Sequence, residues 1–262
     1  MRNYFVLDGV DSRDFGVYIS GQGTFGAPRK SYTYHSVPGR SGDLIGSEKR
    51  FENLELHYPA FIYANFRQNI SDLRNFLLSR EGYVRLEDTY NPDEFRLASY
   101  TGEFAPEVTK RNDAGSFDLV FNCMPQRWLK SGETKVEATS SVTLTNPTRF
   151  RSKPLVRVYG YGYLFFPAPP GFNRVLDVAI NDYSALNLPY IDIDCETMQA
   201  YNGDTLLNQY VNVYVELDGQ GNRDYAVDYP TLPPGTSTVS KWSGVSFDHI
   251  SKFEIIPRWW KL

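Results

Sequence analysis

The sequence predicts a mainly β protein of two domains. The first combines strands, one long hairpin and a single helix, and the second is a two-sheet sandwich. Three observations carry this. Forty of the 262 residues are aromatic (4 Trp, 19 Tyr, 17 Phe) and 36 are Gly or Pro. Aromatic residues favour strands, while frequent Gly and Pro mark many turns. One stretch alone has a helical period, and the second half is a series of short apolar runs separated by turn signals.

Charge narrows the function classes. The net charge is −4. Residues 1–133 hold 16 basic and 18 acidic side chains and residues 134–262 hold 11 and 13, so each half stands at −2. Neither half concentrates the Lys and Arg that a duplex-binding surface needs, so no sequence-specific nucleic-acid binding is expected. Met1-Arg2-Asn3-Tyr4-Phe5 lacks an apolar core, which predicts no secretory signal. No stretch approaches the roughly 20 apolar residues of a membrane span, so no membrane insertion is expected. Cys123 and Cys195 each sit in a strand-like run and are expected as buried free thiols.

The elements follow in chain order. Phe5–Val10 and Val17–Ile19 read as short strands, with Gly21-Gln22-Gly23 releasing the chain into a hairpin. Its arms are predicted over Arg29–Ser36 and Arg50–Tyr58, with a bulge near Asn53 because the spacing from Phe51 to Leu54 breaks alternation. The loop between them is Val37-Pro38-Gly39-Arg40-Ser41-Gly42-Asp43-Leu44-Ile45. Pro38 withholds a donor, while Gly39 and Gly42 open backbone angles that other residues reach only at a cost. Ile62, Phe66, Ile70, Leu73 and Leu77 then recur every three or four residues, predicting an amphipathic helix that ends near Arg80 and Gly82.

Tyr83–Leu86 and Phe95–Tyr100 form a second predicted hairpin, and Glu103–Thr109 with Ser116–Cys123 a third. Segment 125–135, with Pro125, Gly132 and several charges, reads as the junction, so the domains are expected at 1–133 and 134–262. Beyond it, strands are predicted at Ser141–Thr145, Pro154–Gly160, Val175–Ile180, Tyr190–Asp194, Asn212–Leu217, Ser237–Lys241 and Phe253–Pro257. The intervening turns include Pro169-Pro170-Gly171 and Asp218-Gly219-Gln220-Gly221. Short strands at this spacing form a two-sheet sandwich.

Candidate chemistry is sparse. The glycines near Arg40 invite a phosphate loop, but Gly46 is followed by Ser47-Glu48 instead of Lys and Ser or Thr, and no helix follows. Asp192, Asp194 and Glu196 alternate, so a strand places three carboxylates on one face. Such a set can hydrolyse a glycoside or bind a hard cation, or it can line a solvated sheet face while Ile191, Ile193 and Cys195 point inward. Tyr159, Tyr161 and Tyr163 alternate with Gly160 and Gly162, and Trp259-Trp260 lie near the end. These rings can stack on sugars, or serve as sheet face and core. His35, His57 and His249 have no metal-ligand spacing, and no GxSxG occurs. The residues therefore predict no enzyme, no catalytic, metal or cofactor site, and no cofactor.

Several stretches together resemble the distal tail protein family of siphophages. They are Phe5-Val6-Leu7-Asp8-Gly9-Val10-Asp11-Ser12 with Phe15-Gly16-Val17, and Val37-Pro38-Gly39-Arg40-Ser41-Gly42-Asp43-Leu44. Arg85–Thr89 and Phe117–Pro125 are similar too, as are Ser152–Leu155, Tyr190–Glu196, Leu232–Gly235 and Ile256–Trp260. Their order and spacing, over nearly the whole chain, carry the likeness.

The resemblance implies an N-terminal β-sandwich with one helix and a long hairpin arm, followed by a galectin-like β-sandwich. It implies a structural virion protein at the distal end of the tail, made in the bacterial host cytoplasm. Six copies form a ring, or two stacked rings, as the hub of the tail tip or baseplate. This hub joins the tail tube protein to a tail-associated lysin or fibre protein, and in some cases to receptor-binding proteins, and its lumen passes DNA. The arm's tip residues Pro38, Gly39, Arg40, Gly42 and Asp43 become assembly-loop candidates. The rival readings are a carbohydrate-binding C-terminal domain for host cell-wall saccharide and a glycosidase.

Overall fold

A computed structural model describes residues 2–20, 24–100, 102, 105–109, 113–167, 176–216, 223–226, 228–242, 244 and 248–262. The expected turns at Gly21-Gln22-Gly23, Pro169-Pro170-Gly171 and Asp218-Gly219-Gln220-Gly221 lie outside the described residues. The chain divides into two compact units, Met1–Arg127 and Trp128–Lys261. The division falls before the 133/134 junction because residues 128–133 pack on the second unit's own C-terminal segment. Leu129 N donates to Trp259 O at 2.9 Å, and Arg258 N donates to Gly132 O at 2.8 Å.

The first unit holds β1 (Phe5–Leu7), β2 (Val10–Asp11), β3 (Val17–Ile19), β4 (Lys30–His35), β5 (Leu44–Phe51) and β6 (Leu54–Ile62). After α1 (Phe66–Leu78) come β7 (Val84–Asp88), β8 (Glu94–Tyr100), β9 (Glu107–Val108) and β10 (Gly115–Cys123). One antiparallel sheet runs β2-β1-β7-β8-β10-β6-β3, with β9 beside the start of β10. β6 and β10 form its spine, pairing Leu56 with Phe121, Tyr58 with Leu119 and Ala60 with Phe117. All six are buried, since period-two strands in this register turn every second residue to one face.

Phe66, Leu73 and Leu77 of α1 are buried in the same core as that face, so the helix supplies the second layer. Ile62 does not belong to the helix as its spacing predicted. It ends β6, paired with Val17 and Gly115, and Asn65 at φ +54 turns the chain into the helix. β6 also runs past Tyr58 through Pro59, where the sequence ended it. Pro59 O accepts from Ser20 N at 2.8 Å.

β11 (Arg127–Leu129) runs across the division, and the second unit goes on with β12 (Val136–Ala138), β13 (Ser141–Asn146), β14 (Leu155–Tyr159), β15 (Gly162–Phe166) and β16 (Leu176–Ile180). It continues with β17 (Ile191–Asp194), β18 (Gln199–Asn202), β19 (Thr205–Leu206), β20 (Val211–Glu216), β21 (Arg223–Tyr225), β22 (Gly235–Lys241), β23 (Lys252–Ile256) and β24 (Trp260–Lys261). Two six-stranded sheets, β12-β23-β14-β17-β18-β19 and β13-β22-β15-β16-β20-β21, enclose one core. Val156, Val158, Ile191, Ile193, Phe253 and Ile255 of the first sheet meet Leu164, Phe166, Val178, Val213 and Val239 of the second. Each such fully buried side chain contributes about 1.5–3 kcal/mol relative to exposure.

The sandwich and all seven predicted strands of this half are present, several with ends moved by one or two residues, while the predicted ends Val175 and Leu217 lie outside the described residues. Cys123 and Cys195 are free and buried. Burial pushes the Cys123 thiol up to about 12, as expected of an inert core cysteine.

Candidate functional site: the hairpin arm and the carboxylate strand

The arm is a two-stranded sheet of its own, β4 paired with β5. Tyr34 faces Ile45 and His35 faces Leu44 across the ladder. At its tip Arg40 N donates to Val37 O at 3.1 Å, closing a turn with Pro38 second and Gly39 third. Gly39 has φ +81°, so this is a type II turn, whose third position excludes most side chains. Gly42, at φ +85°, makes the next bend. No heavy atom lies within 4 Å of a Cβ built on either glycine, so the demand is on the backbone and not on space. Asp43 then leads into β5. The five tip candidates thus fall together in one exposed loop.

The bulge expected near Asn53 is not formed, and a different one lies within β5. Pairing slips between Lys30–Phe51 and Tyr32–Ser47, so Glu48, Lys49 and Arg50 stand opposite Ser31 alone. Lys49 adopts φ +56°, and Glu48 Oε2 accepts from Ser31 Oγ at 2.6 Å and from Arg50 Nε at 3.0 Å. Near Asn53, where the bulge was expected, the strand breaks between β5 and β6. The Asn53 amide holds that break by donating to the Tyr83 hydroxyl and, at 2.6 Å, to Asn122 Oδ1.

Above this anchor the arm is bare. Ile45 is 63% exposed, Tyr34 58%, Leu44 44% and Tyr32 39%. A lone two-stranded hairpin is marginal in water, and a run of exposed apolar side chains on one marks a contact surface. Between Arg29 and Glu52 lie five Lys and Arg against three Asp and Glu. The arm is therefore +2, and the remainder of a chain at −4 is −6.

The carboxylate strand ends up differently from the solvated face the alternation predicts. Asp192 faces Arg157 across β14 and β17 and takes two hydrogen bonds from it, at 2.7 and 2.8 Å. The Arg157 guanidinium also stacks 3.8 Å from the Tyr190 ring centre, which helps bury the pair. Asp194 takes two more from Arg258, at 2.8 and 3.0 Å, and accepts the Glu196 and Thr197 amides. Burial raises the Asp194 pKa, but Arg258 and the two amides outweigh it and hold the carboxyl below the ordinary range. Glu196 is exposed beside Lys153, 3.6 Å away.

On the far side of β14, β23 continues the pattern: Glu254 binds Lys135 at 3.1 Å and Lys252 at 3.2 Å. Each candidate acid thus already has a cationic partner. Asp192 and Asp194 are each held by two hydrogen bonds from an arginine, an arrangement that braces the sheet and does not set a carboxyl pair about a bound sugar. Among the described residues no cluster of three or more His, Cys, Asp or Glu could hold a metal ion.

The aromatic candidates are distributed, too. Tyr159 lies on β14 and Tyr163 on β15, in different sheets, and Tyr161 is in the crossing between them against His249. A Cβ on Gly160 would lie 2.0 Å from His249 O, so the glycine exists for close backbone approach. Trp259 is core, and Trp260 stacks on Phe150 at 4.4 Å and donates to Arg151 O at 2.9 Å. These rings do not form one platform. Among the described residues no helix is long and apolar enough to cross a membrane.

No protein-family model and no curated protein matches the chain in sequence. In structure it is similar to the SPP1 Dit protein (gp 19.1), described with its crystal structure as a paradigm of hub adsorption apparatus in Gram-positive infecting phages. The TM-score is 0.66 at 15% identity, over 100% of both chains. From end to end, this chain has the fold of that protein.

Proposed function

We propose that the chain is a siphophage distal tail protein, a structural subunit of the hub at the distal end of the tail, with no enzymatic role. In this reading six copies close into a ring, or two stacked rings. The ring joins the tail tube protein to the tail-associated lysin or fibre protein and to receptor-binding proteins, and its lumen passes DNA. The protein is made in the host cytoplasm and acts in the virion. Residues 1–133 make the ring, through the arm and its tip at Pro38, Gly39, Arg40, Gly42 and Asp43, and residues 134–262 form a galectin-like outer domain.

The observation that carries the reading is the full-length structural match to a phage hub protein. The arm supports it physically. A ring needs a head-to-tail contact that closes by rotation, and an exposed apolar hairpin of +2 on a body of −6 fits a second copy better than it fits solvent. Strand addition relies on main-chain hydrogen bonds, so it asks little of sequence beyond the turn at the tip. Light scattering and negative-stain imaging test it. Six copies of a 30.0 kDa chain give a ring of about 180 kDa. A strict monomer, both alone and with the tail tube protein, would overturn the proposal.

A further inference from the structure

Arg96 lies on β8 opposite Leu86 of β7, on the face turned toward the first unit's core, and is 7% exposed. Neither Nη1 nor Nη2 has an acceptor among the described residues. Arginine does not shed its proton in proteins, so these donors stay charged and need partners. Its polar neighbours are engaged elsewhere. Asp88 Oδ1 accepts from the Tyr90 and Asn91 amides at 2.9 Å each, and Oδ2 from the Tyr58 hydroxyl at 2.6 Å. Arg127 Nε lies 2.8 Å from Glu94 Oε2, and its Nη2 donates to Asn91 Oδ1 at 2.5 Å.

These side chains and Arg96 line a cavity of about 10 Å³. That volume is at the threshold for one water, which also needs two to four polar partners. The charges around the cavity balance, Arg96 and Arg127 against Asp88 and Glu94. An anion would leave the lining with a net negative charge, whereas a neutral molecule that both accepts and donates keeps the balance.

We propose that one structural water occupies this cavity, accepting from the Arg96 guanidinium and donating to the Asp88 carboxylate. It bridges β8 to β7, and through the Tyr58 hydroxyl to β6, bracing the interior beneath the turn that follows Asp88.

Crystals of the full chain grown in bromide test this directly. The expected result is one density peak within hydrogen-bond reach of Arg96 and Asp88, with no anomalous signal at the bromine edge. An anomalous peak there, or Arg96 bonded straight to a carboxylate with no peak, overturns the proposal. Oxygen-17 relaxation dispersion gives a check in solution: Arg96→Met is expected to lose one long-lived water, and an unchanged count in the folded variant overturns it. If that variant does not fold, the wild-type crystal still decides.

Discussion

The hairpin arm and the carboxylate strand are both unusual surface stretches, and they meet opposite ends. On β17 and β23 Asp192, Asp194 and Glu254 are buried, and each finds a cation in its own unit. On β4 and β5, by contrast, Tyr34, Leu44 and Ile45 stand largely in solvent. A group satisfied inside its own domain contributes to folding, and its removal is felt as instability. A group left unsatisfied contributes to folding little, and its removal is felt only where another chain covers it. The first region belongs to the fold, and the second is the surface we propose for assembly.

This contrast can be broken at several points. The largest effect is expected from Asp194→Asn, which leaves Arg258 without its counter-charge. Unfolding in urea should reveal a loss on the order of 3 kcal/mol in the second unit. A loss indistinguishable from that of exposed sites would mean the strand is surface after all.

Acid should reproduce part of that loss. Burial acts against the charged forms of Asp194 and Glu254, yet their Arg and Lys partners hold both pKa values below the ordinary range. The unfolded chain then binds protons first, so this stabilisation is full above about pH 5 and falls as pH drops through the depressed folded values. Stability followed against pH should show a shallower acid limb in Asp194→Asn than in wild type. Parallel limbs would exclude the pair as its source.

On the arm, the double variant Tyr34→Asp with Ile45→Asp should change the unfolding free energy by no more than about 0.5 kcal/mol. The same variant should abolish ring formation in negative-stain images. Rings of normal size from this variant would remove the arm from the interface. The smallest effects on ring formation belong to the tip. Gly39→Val disturbs the type II turn at a cost of about 1 kcal/mol or more, confined to the hairpin, and Arg40→Ala costs less than about 0.5 kcal/mol. Each should weaken ring closure in a concentration series while the far-ultraviolet spectrum stays unchanged. Unaltered closure in both would reduce the tip to a turn.

Much of this was legible in the residues, for local reasons. The turn at Pro38-Gly39 and the alternation of Phe117, Leu119, Phe121 and Cys123 follow from backbone sterics and a period of two. Misplaced features had tertiary causes. Ile62 fits a helical spacing, but pairing with Val17 and Gly115 keeps it in a strand. Strands such as Gly162–Phe166 and Gln199–Asn202 were not predicted, because runs this short carry too little pattern outside their sheets.

The sequence by itself determined the class of this protein: β-rich, with one helix, a turn-tipped hairpin and no concentrated basic surface. Periodicity, turn chemistry and net charge are properties of neighbours along the chain, and they survive without coordinates. Only the tertiary structure decided what the candidate residues do. Arg157 lies 35 positions from Asp192, and Arg258 lies 64 from Asp194. No local pattern could tell that these acids were neutralised, or that none of the described residues would cover Tyr34 and Ile45. Whether a charge is paired or an apolar side chain buried depends on contacts between distant residues, and those exist only once the sheets are assembled.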